Sequence, residues 1–176
     1  MGFPLEKSRE ITLQILWAIS AHAPSPQNLE QNLEKTQDLQ WRERLVALLA
    51  EDLKVSKKAV YNCFDRARAI EFNILSIDPL IALNSVVAID YLGTVELALL
   101  RLAVFEMVIE KVTPPKVVIG EAVRMANKFA QEEAGKLLNG ILDAIYKKLM
   151  HNDLDKGIGE AVNGECSVTL SEGKGT

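Results

Sequence analysis

A chain of 176 residues, 48% hydrophobic and 25% charged, is long enough to bury a sizeable core as one domain or two tightly packed halves. Its net charge of −4 and pI near 5.3 exclude a global field for nucleic acid, so any such contact must rest on a local basic patch. MGFPLEKSRE lacks a signal-peptide layout, and the apolar run Leu97 to Ile109 is about half a bilayer span and broken by Arg101 and Glu106; a cytoplasmic chain with no membrane contact is expected.

Apolar positions recur every three to four residues almost throughout, which predicts an all-α chain. Ile11, Ile15, Ala18 and Ile19 place a first helix over residues 6–21, ended by the two prolines of HAPSPQN. A polar stretch from Leu29 to Leu39 leaves its own state open. A firmer helix follows over 40–53, with Trp41, Leu45, Leu48 and Leu49 as its stripe. Ser56 suits the N-cap of a third long helix reaching about Ile74. In SIDPLIAL, Asp78 reads as a cap and Pro79 as the first helical residue. The helix from Val95 to Glu110 is apolar on nearly every face and belongs at the centre of the second half. Thr113 and Pro114 open the next helix in the same cap-and-proline manner, and the last runs over 131–150. The glycine-rich segment HNDLDKGIGEAVNGECSVTLSEGKGT has no helical stripe and reads as a disordered tail. The expected architecture is two packed helical bundles with about seven helices, divided as 1–76 and 77–150, and a tail at 151–176.

Groups for catalysis are scarce. His22 and His151 have neither a nucleophile nor a metal-ligand partner at helical spacing, and no phosphate-binding glycine loop occurs. Glu132 and Glu133 suit a helix's first turn better than an acid/base pair. Cys63 and Cys166 have no metal or redox spacing, so Cys63 reads as a free buried thiol. No enzyme activity, cofactor, catalytic residue or metal site is expected.

Basic residues carry more. Lys54, Lys57, Lys58, Arg66 and Arg68 gather around Tyr61 and Phe64, a composition that can hold RNA phosphates and stack bases. The three-residue spacing of Tyr61 and Phe64 also fits a buried stripe with solvated charges around it, and that plainer reading is the stronger. Lys7 and Arg9 form a smaller basic pair. Arg101, inside the most apolar helix, must either pair with a carboxylate, for which Glu121 is the candidate, or reach solvent along an edge. Gly140 costs its helix about 1 kcal/mol, which a close helix–helix approach would repay. Asn139 beside it can bond a backbone group or a ligand.

LGTVELALLRLAVFEM, TPPKVVIGEAVRMANKFA and GKLLNGILD, in that order over about sixty residues, resemble the NusB family of transcription antitermination factors. SREITLQILW resembles the family's opening helix more loosely, with Trp17 at an aromatic position, while residues 22–75 match only in helical character. The resemblance implies a non-catalytic adaptor of two helical bundles. Such an adaptor joins a small-subunit ribosomal protein, NusE, binds boxA RNA, and acts indirectly on the RNA polymerase elongation complex transcribing ribosomal RNA. By position it implies RNA contacts at Lys7, Arg9, Glu133, Lys136 and Leu137, and a partner face including Asp90 and Glu96. The departures are a thinned basic run at LEKSR, Leu137 in place of a stacking aromatic, and Gly120 in place of an asparagine before Glu121. They leave room for a protein-only scaffold with weakened RNA contact. A third reading, a domain of the NusB type from a ribosomal RNA methyltransferase, is expected to fail because nothing after the domain could bind a methyl donor.

Overall fold

A computed structural model of the chain describes residues 3–22 and 34–150, with side chains placed for 3–20 and 39–150. Within them the chain is all-α, with seven helices: α1 (Leu5–His22), α2 (Glu34–Asp52), α3 (Lys57–Phe72), α4 (Ile74–Ala82), α5 (Thr94–Phe105), α6 (Pro115–Phe129) and α7 (Ala134–Met150). The expected tail at 151–176, with His151 and Cys166, lies outside the described residues, as does the chain between α1 and α2.

Helices α1, α2 and α3 pack as one group and α4 to α7 as a second, with α5 touching members of both. Every residue from Ala98 to Phe105 except Arg101 is buried, so α5 occupies the centre, as its all-round apolar surface requires. The two groups share one continuous core, running from Ile11 and Ile15 through Ile70, Leu99 and Leu100 to Leu142 and Ile145. The free thiol of Cys63 is buried in it.

Several boundaries differ from expectation, each for a local reason. Ser56 does cap α3, its hydroxyl accepting from the Ala59 amide at 3.3 Å. Asp78 and Pro79, however, do not open α4. Asn73 ends α3, its side-chain amide donating to the Ala69 carbonyl at 2.7 Å. Its own carbonyl accepts from Ser76 and Ile77, so the chain re-enters helix at Ile74 and carries Pro79 inside. The expected division at residue 76 therefore falls within α4. Helix α6 starts one residue later than expected, with Pro114 as cap and Pro115 first. Helix α2 begins at Glu34, inside the stretch whose state the sequence left open.

Helix α5 runs on into a π-helical turn over Glu106–Glu110, closed by the Lys111 amide donating to the Glu106 carbonyl at 2.9 Å; Lys111 stops it in the left-handed region at φ 53°. This turn holds the principal buried charge. The Glu106 carboxylate, 1% exposed, takes three hydrogen bonds from Arg9 of α1 at 2.7–3.1 Å. It also takes an ion pair from Arg66 of α3 at 2.8 Å. Arg66 in turn bonds Glu110 at 2.5 and 2.8 Å. Burial opposes the Arg66 charge, but the Glu110 and Glu106 carboxylates outweigh it and hold the guanidinium firmly protonated. Two cations and two anions thus close a neutral node where α1, α3 and α5 meet.

Arg101 pairs with Asp78 at 2.7 and 2.8 Å, not with Glu121. Asp78 is free to do so because it sits mid-helix on α4, which packs along α5. Glu121 instead takes Arg124 at 3.1 Å, with Arg9 more distantly at 3.9 Å.

Replacing Glu106 by Gln should lower the unfolding free energy by about 3–5 kcal/mol, because Arg9 and Arg66 lose their shared anion in the interior. Asp78→Asn, at a pair some 20% exposed on both sides, should cost about 1 kcal/mol or less. Urea unfolding of the two variants checks the order; equal losses would contradict it.

Candidate nucleic-acid interface

The first turns of α1 sort their charges by helix face. Arg9 falls in register with Thr12, Leu13 and Leu16, all buried, and is itself 4% exposed. Its guanidinium is held by Glu106 and reaches the Thr113 hydroxyl at 3.4 Å, so the exposed RNA contact expected of it is not presented. Lys7 is exposed, its ammonium donating to the Leu53 carbonyl at the end of α2 over 3.1 Å.

Glu6 and Glu10 are turned toward α6. Glu10 accepts from Lys128 at 2.8 Å and Arg124 at 3.3 Å, and Arg124 also meets Glu6 at 3.2 Å. Two acids four apart on α1 meet two cations four apart on α6, a complementary ladder that the spacing could have revealed. Partial burial pushes the Glu10 carboxyl up, but the hydrogen bonds and charges of Lys128 and Arg124 outweigh it and hold the group below the ordinary carboxylate range. The ladder ties the start of α1 to the end of α6, from which the chain turns into α7.

At the start of α7, Glu133 and Lys136 are more than 80% exposed and stand 3.7 Å apart. Leu137 is half-buried against the core. Asn139 and Gly140 are exposed, and a Cβ built on Gly140 meets nothing within 4 Å. The expected close approach at Gly140 is therefore wrong. Gly135 fills that role: it shares a face with Leu138 and Leu142 toward α6, where a Cβ would collide with the Asn127 side chain. Gly140 lies about 100° per residue further round, in line with Lys136 and Lys147. Gly120, on α6, is open in the same way.

The middle basic group divides. Phe64 is buried, and Tyr61 is half-buried with its hydroxyl donating to Glu43 at 2.5 Å, a bond that pushes the phenol pKa up. Arg42 of α2 lies over both rings, 5.2 and 4.9 Å from their centroids, and covers the faces a base would need. Arg66 is spent in the interior and Arg68 lies 3.8 Å from Glu71. Lys54, Lys57 and Lys58 remain exposed.

Asp90 and Glu96, expected at a partner face, flank the entry to α5. Asp90 lies exposed in a 3₁₀ turn over Ile89–Tyr91, with Tyr91 and Val86 more than 80% exposed nearby. Glu96, in the first turn of α5, folds its carboxylate back over Gly93 so closely that a Cβ there would strike it. Among the described residues no cluster of three or more His, Cys, Asp or Glu could hold a metal, and no helix is long and apolar enough to cross a membrane.

Gly140→Ala should raise the unfolding free energy by about 0.5–1 kcal/mol, since the site is helical, open and at ordinary φ; thermal denaturation measures it, and destabilisation would indicate a contact after all. The Glu10 pairing stabilises the fold above the unfolded carboxyl pKa and is lost as pH falls through the lower folded value. Stability of the unaltered chain should therefore drop more steeply below about pH 4 than that of Glu10→Gln, and the difference should shrink in high salt.

The chain matches the model of the NusB family over residues 6–147. It is 30% identical over 149 residues to the transcription antitermination protein NusB of Desulfovibrio desulfuricans, covering 84% of this chain and 87% of that one. It is 33% identical over 148 residues to NusB of Histophilus somni, covering 83% and 92%. Among solved structures it is similar to T. maritima NusB, with a TM-score of 0.61 and 28% identity over 89% of this chain and 99% of the other. It is also similar to a chain in the crystal structure of the antitermination factors NusB and NusE in complex with double-stranded RNA, with a TM-score of 0.61 and 27% identity over 81% and 95%. Sequence and fold agree over the whole helical body, and this chain belongs to the NusB family.

Proposed function

We propose that this chain is an RNA-binding transcription antitermination adaptor, which joins the ribosomal protein NusE and with it holds a boxA-type RNA. Through that complex it would act on RNA polymerase transcribing ribosomal RNA in the cytoplasm, without catalysing a reaction. The observation that carries the reading is the likeness in fold, at a TM-score of 0.61 and 27% identity over 81% of this chain, to a chain of the NusB and NusE complex with double-stranded RNA. The surfaces agree with it. Lys136, Asn139 and Gly140 form an open polar face on α7, where an amide side chain and a bare backbone can approach a ligand closely. Asp90 and Tyr91, with the first turn of α5, leave an exposed mixed acidic and apolar edge for a protein partner.

The burial of Arg9 favours a second reading, a scaffold that holds NusE but contacts RNA weakly by itself. One titration separates the two. The complex of this chain with NusE should bind a boxA-type RNA more tightly than either protein alone, with log affinity falling linearly as log salt rises. A NusE complex that forms yet binds no such RNA in about 50 mM salt would leave only the scaffold; absence of the protein complex would overturn both.

A further inference from the structure

We propose that the turn between α2 and α3 is a second phosphate-binding surface, along which Lys7, Lys54, Lys57 and Lys58 hold the backbone of a single RNA strand that continues past the start of α1. This inference rests on the adaptor reading and extends the RNA path beyond the positions that reading supplies. The carrying observation is a juxtaposition that sequence distance hides: Lys7 bonds the Leu53 carbonyl, which brings the α1 cation to the turn bearing the other three lysines. All four side chains are exposed, and among the described residues none of them has an ion-pair partner. Glu51 and Asp52 end α2 on the same turn, so four cations face two anions and the local balance is positive in an acidic protein.

The local design is otherwise unfavourable. Helix α3 opens with Lys57 and Lys58 and has no acidic residue in its first turn, so two positive charges sit at the positive end of the helix dipole. Lys54 adds a third cation in the left-handed conformation at φ 52°. Lys57 and Lys58 stand against the α3 dipole with no acidic residue in that turn to offset them, and an anion docked there would relieve them. The ligand is a backbone rather than a base, because Arg42 already covers the Tyr61 and Phe64 rings. It is RNA rather than an acidic protein because Lys7 belongs both to this cluster and to the opening of α1. With Arg9 buried, the turn supplies the charge that α1 itself does not present.

The test uses the full chain with NusE and a triple variant, Lys54→Gln, Lys57→Gln and Lys58→Gln, whose exposed changes leave the core untouched. Two RNAs of equal length are titrated between about 50 and 200 mM salt: a boxA-type sequence extended by about eight nucleotides on each side, and a mixed sequence. The variant should bind both about ten-fold or more weakly at the lower salt, with the salt slope reduced by about 0.7 for each phosphate it no longer neutralises. A wild type that prefers boxA, beside a variant with the same affinities and slopes, overturns this inference and leaves the adaptor reading standing. A wild type with no boxA preference but lysine-dependent binding to both RNAs upholds the surface while removing that reading. No RNA binding by the wild-type complex at the lower salt overturns both.

Discussion

One buried carboxylate organises this molecule. Glu106 is nearly inaccessible, yet it is charged, and it is tolerable there only because Arg9 from α1 and Arg66 from α3 converge on it. The three groups come from positions 9, 66 and 106, so the full set of bonds needs three helices in place. The packed core sets a register for α1 and α3 against α5, and the charge pairs add a directional constraint to it. A bidentate guanidinium–carboxylate pair has one geometry, and it selects one register. The π turn belongs to the same arrangement. It keeps Glu110 where Arg66 can bond it, and Lys111 then turns the chain away toward α6.

That node also decides where surface charge can lie. Arg9 and Arg66 look like members of basic clusters in the sequence, but both are consumed inside. Glu6 and Glu10 are similarly committed to Arg124 and Lys128. What remains outward is a partition by turn: lysines at the α2–α3 turn, a polar glycine-bearing face on α7, and an acidic and aromatic edge before α5. Each surface is held by a different helix pair, yet all are referred to α5, because α1, α4, α6 and α7 each pack on it.

Periodicity was enough for the helical class, the central place of α5 and the Ser56 cap, because those depend on residues within a turn or two of each other. The misplaced helix starts turn on neighbouring residues, and the misplaced charge pairs on partners far along the chain. Asp78 and Pro79 have the composition of a helix start, but Asn73 restarts the helix five residues earlier and Arg101 claims the Asp78 carboxylate. Glu121 is the nearest carboxylate to Arg101 in the helix that follows, and it points instead toward Arg124 and Arg9. Glu106 was visible as a break in an apolar run, but its two partners lie 97 and 40 residues away, beyond any spacing rule. The glycines show the same limit. Gly135 and Gly140 are equivalent by composition, and only the phase of α7 against α6 tells which one packs.

Gly140 then needs a different reason. A glycine on an open, regular helix face weakens the helix without admitting a neighbour, and Asn139 beside it adds a side chain that competes with helix bonding. The lysines opening α3 break the dipole rule in a similar way. Both faces are therefore locally unfavourable choices that the fold itself does not use. They differ in what they could offer a nucleic acid. The α7 face has a donor–acceptor amide and room for close approach, which suits reading a particular base or ribose. The α2–α3 turn has only flexible ammonium groups, which suit any phosphate. The first kind of face fixes register and the second supplies salt-sensitive affinity.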